Sequence, residues 1–127
     1  MSYAGILATV NLYKSEKNQL TSDLSDILMN ITDASKKTAD LTAQETEKKS
    51  YVRENYDKED TEYQVQMDEI NAEFEDQLSQ VNAWESELEQ QKQAKETQVQ
   101  MTSSYLDSFT EVLKNNVKKD FTYGQGK

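Results

Sequence analysis

In the first third of the chain, apolar residues return at alternating steps of three and four, the spacing of a coiled-coil seam. The series is Tyr3, Ile6, Val10, Tyr13, Lys17, Leu20, Leu24, Ile27, Ile31, Ala34, Thr38 and Leu41, and only Lys17 and Thr38 break its apolar character. A second series runs through Tyr63, Met67, Ile70, Phe74, Gln77, Val81, Trp84 and Leu88. Beyond Leu88 the apolar residues Val99, Leu106, Leu113 and Val117, with Tyr105 and Phe109 beside them, drift toward a period longer than seven. That drift predicts a seam that unwinds or changes partner.

A change in the sign of charge separates the two series. Lys48, Lys49, Arg53 and Lys58 precede position 59, and Glu59, Asp60, Glu62, Asp68 and Glu69 follow it. Cations suit a helix C-terminus and anions an N-terminus, so the sign change predicts two helices and a turn between them. Thr61 with Gln64 matches a capping box there; Thr42 with Glu45 matches the same pattern without a sign change. The fold class expected is therefore all-α: two long helices, about 2–56 and about 62–121, forming an antiparallel coiled-coil hairpin with a turn at 57–61 and a tail at 122–127. The chain is read as a single elongated element. One continuous helix paired with a second chain is the structural alternative.

A fold between residues 59 and 60 sets residue i opposite residue 119 − i. This register matches Ile6 with Leu113, Val10 with Phe109, Tyr13 with Leu106, Leu41 with Leu78, Thr38 with Val81 and Ile31 with Leu88. Ala34 falls next to Trp84, as if a small residue made room for a large one. The hairpin seam is thus expected at Val10, Leu41, Leu78, Val81, Trp84, Leu88 and Phe109. One stretch does not match: Leu24 and Ile27 would face Lys95 and Lys92 in a polar segment whose sole apolar residue is Ala94. Lysine stems cover some apolar surface, but the remainder predicts a self-association face at Leu20, Leu24, Ile27, Leu28 and Ile31.

Composition narrows the chemistry. The 127 residues include no Cys, His or Pro, and the three glycines, Gly5, Gly124 and Gly126, lie near the ends. Mean hydropathy is −0.95. Without thiol or imidazole the common nucleophile, proton-shuttle and zinc templates lose a required part, so no catalytic, cofactor or metal site is expected. Carboxylates at helical spacing, such as Glu69, Glu73 and Asp76, read as a solvated face, because a di-iron bundle needs a Glu-x-x-His partner. Gly124-Gln125-Gly126 reads as a flexible tail rather than a phosphate loop. Phe121 and Tyr123 read either as a short anchor to a neighbour or as a frayed end.

Net charge is −10, and the segment from Glu59 to Glu89 holds eleven acidic residues and no basic one. This argues against nucleic acid and anionic lipid as partners. No apolar run approaches a membrane span, and MSYAGILATVNLY lacks the basic flank of a Sec signal. The protein is expected to be cytoplasmic or secreted by a route other than Sec.

A chain free of Cys, His and Pro, rich in Asn, Gln, Ser and Thr, with paired N- and C-terminal coiled-coil helices, resembles in architecture the helical-hairpin subunits of type III secretion needles and flagellar-type filaments. The resemblance implies a secreted filament subunit whose two chain ends, Tyr3 to Tyr13 and Leu106 to Tyr123, pack between copies. The leading expectation is a non-enzymatic structural protein forming a homo-oligomer or filament. The competing one is an intracellular coiled-coil adaptor or an export chaperone, holding a protein partner's helix against Leu20 to Ile31.

Overall fold

The computed structural model describes the backbone of residues 2–125 and the side chains of residues 2–119. Two helices account for nearly all of it: α1, Tyr3–Asn55, of 53 residues, and α2, Thr61–Gln125, of 65. They pair as an antiparallel hairpin. Helix α2 continues through 122–125, where a tail was expected; the side chains of Phe121 and Tyr123, and Gly126 itself, lie outside the described residues.

Each helix starts on a cap. The Ser2 hydroxyl accepts a hydrogen bond from the Gly5 N–H at 3.1 Å, and the Asp60 carboxylate accepts one from the Glu62 N–H at 3.1 Å. Asp60, rather than Thr61, is thus the N-cap of α2, and Gln64 donates to Asp68 instead of closing a capping box. Thr42 is likewise mid-helix, its hydroxyl donating to the Thr38 carbonyl. Thr9, Thr21, Thr32, Thr38, Thr46 and Thr97 likewise direct their hydroxyls to the carbonyl one turn back, which satisfies the polar group inside the helix.

The connection is short. The Asp60 N–H bonds the Asp57 carbonyl at 2.9 Å, and the Asp57 side chain accepts from Glu59 N–H at 3.3 Å. No described residue adopts a positive φ, so the turn closes without the glycine that a left-handed position would require. Arg53 in the last turn of α1 and Glu62 in the first turn of α2 complement the helix dipoles.

Cross-helix partners fall within three residues of the expected register: Asp23 with Lys95, Tyr13 with Tyr105, Lys48 with Glu73. Contacts group the chain into a central unit, 27–91, and a terminal unit, 1–26 with 92–127.

The central unit holds one core. Ile27, Ala34 and Leu41 enter it at heptad intervals from α1, and Phe74, Val81 and Leu88 at heptad intervals from α2, joined by Val52 and Ile70. Leu78 and Ile31 pack against it half-buried. Between Leu41 and Val52 the seam passes Glu45 and Lys49, an ion pair 2.7 Å apart with each side chain under a quarter exposed. The less exposed positions 41, 45, 49 and 52 contain one extra step of four, a stutter that the polar pair occupies. Outside it, the Lys48 ammonium lies 5.2 Å from the Phe74 ring centre and 3.6 Å from Glu73.

Two expectations are corrected in this unit. Ile27, assigned to an exposed association face, is buried in the core cluster with Leu88. Trp84, assigned to the seam, is 40% exposed. The seam advances from Val81 to Glu85 to Leu88, and Trp84 stands one residue, or about 100°, off that line. Ala34 therefore permits close approach of the helices rather than accommodating the indole. Trp84→Ala is expected to cost the hairpin at most about 1 kcal/mol, in place of the several that a buried ring would cost; urea denaturation followed by circular dichroism measures it.

Among the described residues of the terminal unit Ile6 and Val10 are buried on α1, and Thr102 on α2. The inward line of α2 is Lys92, Lys95, Val99, Thr102, Leu106, Phe109 and Leu113, each buried or half-buried. These positions keep steps of three and four, so the expected drift in phase does not occur. Polar residues occupy the seam instead. Lys92 and Lys95 are each only 32% exposed, their stems lying along the helices while Lys95 reaches Asp23 at 3.4 Å.

Candidate functional site

A pair of helices shields only the strip between them, and any other apolar line stays in solvent. In the terminal unit α2 carries such a line. Met101, Tyr105, Ser108 and Val112 each precede an inward residue by one position, which sets them about 100° round the helix on a common flank. Met101, Tyr105 and Val112 are all exposed. On α1 the matching line is Leu12, Glu16 and Gln19, with Leu12 57% exposed.

The two lines border one groove of about 390 Å³, lined by Tyr13, Leu20, Met101, Thr102 and Tyr105 with Glu16, Gln19 and Gln98 at its polar edge. Its outer end is aromatic. The Tyr13 ring stacks on Tyr105 with centroids 5.6 Å apart and lies 5.6 Å from Phe109. Such contacts fix ring orientation and hold Tyr105 as a firm wall although its outer face is open.

The opposite flank is different. Its positions on α1 are Asn11, Lys14, Asn18 and Thr21, and on α2 Ser103, Asp107, Thr110 and Lys114. Leu7 and Val117, towards the chain ends, are its exposed apolar residues among those described. Between those two residues the opposite flank is polar, whereas the flank of Met101 and Tyr105 is apolar at the same level.

Charge is also partitioned. The central unit combines six cations with seventeen carboxylates, a formal charge of −11; the terminal unit combines eight with seven, a formal charge of +1. The apolar flank therefore belongs to the near-neutral unit.

The residues expected to associate are distributed otherwise. In the terminal unit, Leu20 is half-buried and lines the groove, and Leu24 is half-buried beside it in sequence. In the central unit Ile27 is buried and Ile31 half-buried, while Leu28 and Met29 are 43% and 64% exposed. Of the seam residues, Val10 is buried, Phe109 packs on Tyr13, and Leu41, Val81 and Leu88 lie in the central core. Trp84 lines a shallow groove with Asp33, Lys37 and Gln80. The flank formed by Leu12, Met101, Tyr105 and Val112 was not separated from the seam by spacing. Its signal was the excess of apolar residues after Leu88, more than one line can hold.

Among the described residues no group of acidic side chains is placed to hold a metal ion. Glu73 is engaged by Lys48, and Asp76 accepts from Gln80. No described helix is long and apolar enough to cross a membrane. Comparison with protein-family models, curated proteins and solved structures finds no match to the chain.

Proposed function

We propose that this chain is a non-enzymatic structural protein whose helical hairpin self-associates, a second copy docking on the apolar flank of the terminal unit. The observation that carries the reading is the coincidence of that flank with the near-neutral part of a strongly acidic chain. Copies of total charge −10 repel one another. A unit of formal charge +1 does not, and it is the unit that leaves Leu12, Met101, Tyr105 and Val112 in water. Pairing two such flanks turns two helices into four, the arrangement in which helices of this kind bury their second apolar line.

A face used by both partners closes on itself, whereas a filament needs two unlike faces that continue. The polar opposite flank favours the closed assembly over the fibre. Sedimentation equilibrium tests the reading. The full chain should associate at about 100 µM, where a contact of about 5.5 kcal/mol holds half of the molecules. The double substitution Met101→Glu and Tyr105→Glu should return it to a monomer of unchanged helix content, since both side chains already face solvent. A monomeric parent chain at that concentration rejects self-association, and fibres in negative stain reject the closed form.

A further inference from the structure

The central unit has an open groove of its own. Trp84, 40% exposed, and Tyr51, 62% exposed, each stand one position before an inward residue, Glu85 and Val52, which sets both on the same side of the helix pair. A groove of about 580 Å³ runs beside Trp84 between α1 and α2, lined by the buried Leu41 and Val81 and by Asp33, Lys37 and Gln80. Tyr51 lines a smaller one of about 290 Å³ with Val52, Ile70 and Glu73. In a bundle a third helix fills such a groove, and two helices leave it open.

Charge selects the occupant. On this side the carboxylates of the unit are Asp33, Asp40, Glu62, Glu69, Glu73 and Glu87, against Lys37 and Lys48; the opposite side has Asp68, Glu75 and Glu89 against Arg53. A second copy brings either another unit of formal charge −11, which is repelled, or its near-neutral unit of +1, which gains little. A cationic segment is attracted. Lys48 shows how this side holds a cation, its ammonium 5.2 Å from the Phe74 ring centre and 3.6 Å from Glu73. Trp84 offers a larger ring, with Glu87 three residues on in α2 and Asp33 lining the same groove, and tryptophan is the best aromatic partner for a cation. We propose that the groove binds a basic amphipathic helix of another protein, its apolar side chains against Leu41, Val81 and Trp84 and its lysines or arginines on the indole, Asp33 and Glu87.

The probe is a labelled synthetic helix of about 20 residues, leucine on one face and lysine and arginine on the other, followed by fluorescence anisotropy with the full chain at about 0.15 M salt. It should bind with a Kd of about 10 µM. Trp84→Ala should weaken binding about 10-fold, and Asp33→Asn with Glu87→Gln about 5-fold. Asp68→Asn with Glu75→Gln removes the same charge from the opposite side and should weaken it less than about 2-fold. All four carboxylates are exposed, so both double variants keep the fold. The Met101→Glu and Tyr105→Glu variant should bind at least as tightly as the parent chain; a loss there moves the site to the flank of the terminal unit and overturns the proposal. No binding at about 100 µM overturns it as well. So do unchanged binding by Trp84→Ala, equal losses from the two carboxylate pairs, and equal binding of the same helix with glutamate in place of its basic residues. Self-association that Trp84→Ala abolishes also overturns it, because the occupant of the groove is then a second copy.

Discussion

Phe74→Ala is expected to remove most of the stability of the central unit. Phe74 is 1% exposed and is, with Ile6, one of the two largest fully buried side chains. It belongs to the core cluster that also holds Leu41, Ile70 and Val81, a core with no third element behind its two helices. Truncating a buried phenylalanine costs about 3–5 kcal/mol. A small unit of this kind has a total stability of about the same size. The Lys48 ammonium, 5.2 Å from the ring centre, loses its aromatic face as well. In urea, with circular dichroism at 222 nm, the midpoint should fall sharply, and amide hydrogen exchange in 34–52 and 67–88 should lose protection. Phe74→Leu, which preserves much of the volume, should retain more than half of the lost stability. A cost below about 1 kcal/mol for alanine would mean that the core cluster does not hold the helices together.

The helical hairpin was legible because its strongest signals are local. The α1 series from Ile6 to Leu41 is not interrupted by a helix breaker, and the sign change at Lys58 and Glu59 coincides with the observed turn. The absence of a glycine there reads as a weakness in sequence, yet the turn uses Asp57 and Asp60 side chains and needs no positive φ. Asp60 and Thr61 are both capping residue types, so pattern alone does not choose between them.

The rest failed for a geometric reason. After Val81 a step of three reaches Trp84 and a step of four reaches Glu85, and both are helical spacings. Hydrophobicity selects the tryptophan. Packing selects the position in phase with Leu88, and that is Glu85. Farther along, the residues of the drifting series divide three ways: Val99, Leu106, Phe109 and Leu113 face in, Tyr105 stands on the flank, and Val117 stands on the opposite one. Met101 and Val112, which complete the candidate surface, fall outside that series, because a pattern that allows each helix one apolar stripe has no place for a second line one residue away.

Ile27→Asp separates the sequence reading from the structure most sharply. An exposed association residue would tolerate the charge and lose only its neighbour, leaving a helical monomer. Ile27 is instead 8% exposed and packed in the core cluster that includes Ala34 and Leu88. An aspartate there loses the packing of an isoleucine and leaves a carboxylate without water, which together cost about 4 kcal/mol or more. Loss of cooperative unfolding, and not only loss of association, is the expected result. Leu28→Asp supplies the contrast from the next position. Leu28 is 43% exposed, so a charge there stays hydrated and the expected cost is within about 1 kcal/mol. Ile27→Asn distinguishes charge from shape: it should fall between the two, because an amide is cheaper to desolvate than a carboxylate of similar size. If Ile27→Asp and Leu28→Asp unfold at the same urea concentration, Ile27 does not face the core, and the placement of the α1 seam through Ile27, Ala34 and Leu41 fails with it.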